Sequence, residues 1–401
     1  MNITKVPFAR PSIGKKEINA VKKVLKSGWL TTGKETELFE KEMEVFTSSP
    51  FCFAVNSNTS GLFLCLKAMG VNENNRIITS PYTFTATAAV ARHLGSEVVF
   101  CDVEADSYNI SPENIKKILK TEKDIKTIVP VHFGGLPCKM EEIRETASKH
   151  GLYTLEDSAH AFPAKTEKGF AGTLGDCGVY SFYTTKTLCT GEGGMILTKD
   201  PGLAEKIRIL RSNGIDRQVW DRYTNPGSSW FYDVVEPGYK MNLPDILSAI
   251  GRVQLKRAFE LLDKRKKIAE KYFSAFKDYD FIIPPPGMDF ISVRQADSRI
   301  ENSLHIYPLR LNLGKLKINR DEFANELQNL GIGISVHFIP LFLMTYWKQR
   351  YSLKPEDFPN SLDRYLTTIS LPIWPDMTKQ MVKRVIDAVT ITGKKYYKIQ
   401  G

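Results

Sequence analysis

The chain has 401 residues, 42% of them apolar and 25% charged, enough for one large domain and a smaller one around sizeable cores. The net charge of +10 comes from 55 basic and 45 acidic residues mixed along stretches such as "DKRKKIAEKY", a pattern of solvated helix faces rather than of a nucleic-acid-binding surface. No apolar run approaches the roughly 18 to 20 residues that span a bilayer, the first residues lack the apolar stretch of a secretory signal, and the six cysteines are scattered without a C-x-x-C pair, so a cytoplasmic protein with reduced thiols, no membrane partner and no metal site is expected.

Residues 15–26 place Ile18, Val21 and Leu25 at helical spacing, and residues 36–46 do the same with Phe39, Met43 and Phe46. The stretch "VNSNTSGLFLCLKAMG" (55–70) reads as a strand, a polar turn and a helix with Leu62, Leu66 and Met69 on one face. Apolar runs follow at 76–80, 97–102, 126–133, 152–157, 178–182 and 195–198, with helices such as "SPENIKKILK" and "KMEEIRETASKHG" between most of them. Strands without polar alternation, separated by helices, predict a mostly parallel sheet buried on both faces. Residues 214–240 are rich in turn formers and aromatics, the signature of a long functional loop. Beyond residue 255 a long charged helix (252–278), the turn "PPPG", the runs "SLHIYPLRL" and "GIGISVHF", a helix after Asn319 and a last one from Thr378 predict a smaller α+β domain. The expected division is 1–255, with an N-terminal arm over 1–14, and 256–401.

Thr83, His132, Asp157 and Ser181 fall just past the ends of predicted strands, and the carboxyl ends of parallel strands form the ligand crevice of an open sheet. Lys186 follows in "YSFYTTKTLCTGEGGMILT", among glycines and apolar strands. Desolvation there favours the free amine, the nucleophile that a Schiff base with an aldehyde cofactor requires. Asp157 at a buried strand end calls for a cationic partner, which the protonated ring nitrogen of pyridoxal 5'-phosphate provides, unless it merely caps "SAHAF". The polar turn before Leu62 offers backbone N–H groups at a helix N-terminus, a phosphate seat or an ordinary cap. Ser181 can add a hydroxyl to that phosphate, and Phe84 can stack on a ring or fill the core.

Seven segments carry a resemblance: "RPSIGKKEINAVKKVLKSGWLTTG", "SPYTFTATA", "PVHFGGLP", "EDSAHAF", "SFYTTKTLCTGEGG", "GYKMNLPDILSAIGRVQL" and "SLPIWPDMT". Over nearly its whole length the chain resembles the DegT-type sugar-nucleotide aminotransferases, a fold-type I pyridoxal-phosphate family. The resemblance implies a mixed seven-stranded α/β domain with helices on both faces, a small C-terminal domain, and a homodimer with shared active sites. It implies that Lys186 is the Schiff-base lysine and proton shuttle, that Asp157 faces the pyridine nitrogen, and that His160 lies near the ring oxygen. Phe84 would stack on the ring, while the Thr59 and Ser60 amides and the Ser181 hydroxyl hold the phosphate. From the partner subunit's copy of "GYKMN", Asn242 or Lys240 would reach the same phosphate. Trp29, Thr31 and His337 match segments lining the sugar-nucleotide entrance.

Three stretches depart from the family pattern. Asn58 stands where the phosphate turn usually has a small residue, and the turn is expected to survive because asparagine tolerates left-handed backbone. "SFYTTK" replaces a more usual aromatic or histidine pattern. "GYKMN" together with "VWDR" (219–222) resembles the branch that aminates UDP-linked 4-keto sugars. The expected reaction is transfer of the amino group of L-glutamate to C4 of a nucleotide-linked keto-sugar, with 3-amination as the alternative. The related sugar 3-dehydratases carry histidine in place of this lysine, and a regulator without turnover would need neither Lys186 nor Asp157.

Overall fold

The structure, a computed structural model, describes residues 5–216, 232–286 and 301–398. Helices α1 (Lys15–Ser27) and α2 (Lys34–Thr47) open the chain. There follow β1 (Phe51–Val55), α3 (Asn58–Ala68), β2 (Arg76–Thr79), α4 (Ala86–His93), β3 (Glu97–Phe100), α5 (Pro112–Thr121), β4 (Ile125–Val129), α6 (Met140–Lys149) and β5 (Tyr153–Asp157). The short hairpin β6 (Lys165–Thr166) and β7 (Gly169–Phe170) leads to β8 (Cys177–Ser181), β9 (Gly194–Thr198) and α7 (Pro201–Leu210).

The apolar runs pair as one seven-stranded sheet in the order β1-β9-β8-β5-β4-β2-β3. Strand β9 runs antiparallel to β1 and β8, and the remaining pairs are parallel. This is the mostly parallel mixed sheet that the sequence predicts. Every residue of β8 and β9 is buried, which is why neither alternates with polar residues. Leu62 and Leu66 of α3 pack with Val179 and Ile196, while Ile115 and Ile143 cluster with Ile78 and Ile128. Gly61 lets α3 approach closely, since a Cβ there would lie 2.4 Å from Val179 Cγ1.

The chain continues through α8 (Asp245–Lys256), α9 (Ala258–Phe276), β10 (Ile282–Ile283), β11 (Tyr307–Leu311), α10 (Arg320–Asn329), α11 (Thr345–Tyr351), α12 (Pro359–Thr367), β12 (Thr368–Leu371) and α13 (Lys379–Lys395). Strands β10, β11 and β12 form an antiparallel sheet, and Tyr272, Leu309, Phe323, Ile369 and Val385 share a core beside it. No helix of the described residues is long and apolar enough to cross a membrane.

Three expectations need correction. Helix α1 leaves Ile18 60% and Leu25 55% exposed and turns Glu17 inward at 1%. Glu17 accepts from Gln254 and Arg257 of the α8–α9 junction and from its own helix start at Gly14 N, so its carboxylate is paired rather than stranded. The predicted helix over 252–278 is two helices that break at Arg257, where the guanidinium is drawn onto Glu17 and Ser12. "GIGISVHF" forms no strand: its ladder pairing is limited to the isolated bridges Val6–Ile332 and Ser335–Ser370. The third strand of the small sheet is instead β12. "VWDR" lies outside the described residues, as does most of the loop predicted over 214–240.

Candidate active site

The carboxyl ends of β2, β4, β5 and β8 share one edge of the sheet, which β9 leaves in the opposite direction. Below that edge opens a cavity of about 380 Å³ lined by Thr59, Thr83, Phe84, Thr87, Asp157, His160, Ser181, Lys186, His305, His337 and Phe338, among others. The lysine and the carboxylate, 29 residues apart, are thus brought to a phosphate-type seat at the α3 N-terminus about a hundred residues earlier in the chain.

The β8–β9 pairing holds the lysine loop by both ends. Ser181 pairs with Gly194, Phe182 N–H donates to Gly193 O (2.8 Å), and Thr190 N–H donates to Phe182 O (2.9 Å). Gly194 also lets the α3 N-terminus approach, since a Cβ there would lie 2.9 Å from Asn58 N. Lys186 is half-buried against the cavity, and among the described residues no partner holds its ammonium. Burial lowers its pKa from the ordinary lysine value to about 8, with Asp157 pulling weakly the other way.

Asp157, 4% exposed, ends β5 at the cavity floor. Thr87 Oγ1 donates to its Oδ2 (2.7 Å), and Ala159 N–H and Asn58 Nδ2 donate to its Oδ1 (3.1 and 3.4 Å). Burial still raises its pKa, against the lowering effect of Thr87, Ala159 and Lys186. Because Thr87 donates to the carboxylate, the Thr83 hydroxyl 2.9 Å away donates to Thr87, and the two threonines form a relay onto Asp157.

At the α3 N-terminus Ser57 is the cap, and its Oγ accepts from Ser60 N–H (3.1 Å). The Ser60 amide therefore already has a partner, whereas Thr59 is exposed on the cavity wall. Asn58 is the first helical residue and adopts no left-handed backbone. It bonds Val179 O (2.9 Å) and Asp157 instead of shaping the turn. Phe84 stands into the cavity with 59% of its surface exposed.

Three imidazoles face the cavity. His160 Nδ1 accepts from Gly134 N–H (3.2 Å), and its ring centre lies 4.3 Å from His305 and 6.1 Å from His337. Burial first, then the charge of Lys186, holds His160 well below the usual imidazole range and brings His337 down to about 4. All are neutral at physiological pH.

Of the residues singled out in the sequence, Lys186, Asp157, Thr59, Phe84, His160, Ser181, His337 and Thr83 meet at the cavity. His132 does not: it is fully buried on Glu156 (2.8 Å), a carboxylate that also accepts from Gly172, Leu174 and Gly175 N–H. Trp29, Thr31, Lys240 and Asn242 stand away from the cavity of their own chain. Trp29 Nε1 donates to Thr32 O (3.2 Å), and Asn242 Nδ2 donates to Thr32 Oγ1. The sequence reading missed Thr87, Asn58 as a partner of Asp157, and His305. Two of these were visible only as polar residues inside "SPYTFTATA" and "SLHIYPLRL".

A lysine whose ammonium burial makes easier to deprotonate, a buried carboxylate and a helix N-terminus around one cavity of a fold-type I sheet define a site for cofactor-dependent amino-group transfer. The chain belongs to the DegT/DnrJ/EryC1/StrS aminotransferase family, whose sequence profile matches residues 11–390. It is 41% identical over 385 residues to the spore coat polysaccharide biosynthesis protein SpsC of Bacillus subtilis, covering 96% of each chain. Among solved structures it is similar to the putative sugar aminotransferase Spr1654 of Streptococcus pneumoniae, in pyridoxamine-phosphate, pyridoxal-phosphate and apo forms, with a TM-score of 0.87, 27% identity and 98% coverage of this chain and 98–99% of that one. PseC of Helicobacter pylori, an aminotransferase of pseudoaminic acid biosynthesis, aligns at a TM-score of 0.85 with 28% identity over 98% of this chain and all of its own.

Proposed function

We propose that this protein is a pyridoxal-phosphate-dependent aminotransferase that moves the amino group of L-glutamate to the C4 keto group of a nucleotide-linked deoxysugar, in the synthesis of a cell-surface polysaccharide or related glycan. The observation that carries it is Lys186, an amine brought to a pKa of about 8 beside a buried carboxylate. The residues present fit the cofactor. Among the described residues Asp157 is a buried carboxyl without a cationic side chain bonded to it, Phe84 offers an exposed aromatic face, and Thr59 and Ser181 line the cavity by the α3 N-terminus. When bound, pyridoxal phosphate supplies an electron sink for the carbon that loses its proton.

The chain supplies the rest. Lys186 Nζ, its pKa lowered to about 8, removes the proton from the donor's α-carbon when free as the amine and later returns one at the sugar carbon. Asp157 keeps a proton on the pyridine nitrogen, and its hydrogen bonds from Thr87 and Ala159 favour the ionised form that does so. Thr59 N–H and Ser181 Oγ would hold the phosphate, and His160 would stand beside the ring. Trp29, Thr31 and His337 border the sugar nucleotide.

The sugar substrate is supported by the relatives named for polysaccharide and pseudoaminic acid synthesis. We read the enzyme as a homodimer with shared sites. Lys240 and Asn242 stand off their own cavity, and Ile13, Ile18, Leu25 and Leu30 turn apolar side chains to solvent. Mixing a Lys186→Ala chain with an Asn242→Ala chain tests the sharing, with turnover equal to the parent dimer as the adverse result. The substrate is tested by offering UDP-, dTDP- and GDP-linked 3-keto and 4-keto deoxysugars with glutamate. Release of 2-oxoglutarate with a 4-keto sugar is expected, and release only with 3-keto sugars, or with none, refutes the assignment.

A further inference from the structure

Behind the imidazole wall of the cavity lies a charge that the proposed reaction does not use. Arg265 of α9 is 3% exposed, and its Nη1 donates only to backbone carbonyls, those of Ile373 (2.5 Å), Leu304 (3.4 Å) and His305 (3.5 Å). Its Nε has no partner, and among the described residues no carboxylate pairs with it. A buried cation without a counter-ion is costly, and its field reaches the groups before it undiminished by water.

The group before it is His305, 6% exposed, with its ring on the cavity wall and its Nδ1 buried without a partner. Next to it, His160 uses Nδ1 as an acceptor for Gly134 N–H, so its Nε2 carries a hydrogen. After burial, the groups that bear on His305 are His160, Lys186, Arg265 and His337, and all of them hold its proton affinity down. The nearest carboxylates are engaged or distant: Asp157 is bonded to Thr87 on the floor, and Glu192 stands exposed at the rim. No arginine lines the cavity among the described residues. This wall therefore offers imidazole nitrogens in a positive field that no protein anion balances.

We propose that His305, backed by Arg265 and flanked by His160, seats a carboxylate of the amino donor. The assignment rests on the aminotransferase reading above and extends it to the recognition of the donor. A carboxylate accepts from the His305 N–H and supplies the negative charge that Arg265 lacks. A neutral amide of the same shape fills the space but leaves that field unbalanced.

The test uses the cofactor-loaded enzyme and glutarate, a dicarboxylate with neither amino nor keto group, with glutaramide as the neutral control. Calorimetry gives both dissociation constants. Glutarate is expected to bind at least about tenfold more tightly than glutaramide, the scale of one charge-assisted hydrogen bond. His305→Phe and His305→Asn should bring the two within about threefold while the visible cofactor band is retained, and the smaller asparagine covers the case in which the phenylalanine ring fails to pack. Equal binding of the two probes by the parent overturns the proposal, as does a parental preference in both variants. Loss of the band in both variants also overturns it, because His305 would then serve the cofactor. A parent protein that binds no pyridoxal phosphate is a separate failure, that of the aminotransferase reading.

Discussion

Replacing Thr87 by valine removes one hydroxyl from the floor of the cavity and leaves its shape almost unchanged. Thr87 is fully buried and its Oγ1 lies 2.7 Å from Asp157 Oδ2. Burial pushes the Asp157 carboxyl toward its neutral form, and this hydrogen bond is the foremost of the forces opposing it. Hydrogen bonds to charged groups contribute about 1.5–3 kcal/mol, which corresponds to about one to two pK units. Without the bond the carboxyl rises by that amount and grips a pyridinium proton more weakly by the same free energy. The donor half-reaction should therefore slow about 10- to 100-fold. Stopped-flow decay of the visible cofactor band on mixing with glutamate measures this rate. Thr87→Ser, which keeps the hydroxyl, should stay near the parent. A valine variant at the parental rate, or a serine variant as slow as valine, would refute the relay onto Asp157.

Lys186→Ala should abolish the visible band without lowering thermal stability, since among the described residues no partner holds its ammonium; a retained band would overturn the assignment of the nucleophile. The lysine pKa is lowered to about 8, so its amine fraction grows as pH rises through that value. Capture of pyridoxal phosphate by cofactor-free protein should accelerate between pH 7 and 9 and then level, and a flat profile would contradict it. Glu156→Gln should cost about 3 kcal/mol or more in urea unfolding, because the buried carboxylate accepts from Gly172, Leu174 and Gly175 N–H and pairs with His132.

The sheet and its chemical edge were legible because strands buried on both faces read as unbroken apolar runs, and because Asp157, Ser181 and Lys186 sit at or just past their ends. What escaped depends on partners far along the chain. Glu17 points inward only because Gln254 and Arg257, 237 and 240 residues away, need its carboxylate. Asp157 is gripped by Asn58 and Thr87 across separations of 99 and 70 residues, which no local periodicity encodes. Strand β12 follows α12 directly, so no turn marked its start. "GIGISVHF" has the apolar content of a strand but lacks a continuous ladder, and composition does not distinguish the two cases.

The clamp on the lysine loop has a consequence for how this scaffold changes over time. Main-chain bonds root residues 182–193, Phe182 to Gly193 and Thr190 to Phe182, and the hydroxyls of Thr184, Thr187 and Thr190 add bonds to Gly191 O, Phe162 O and Glu192 O. The side chain at 186 contributes none of them, so its identity is decoupled from the mount that carries it. Another group of moderate size at position 186 would be carried by the same tethers, so one substitution there would change the chemistry of the cavity and leave its mount in place.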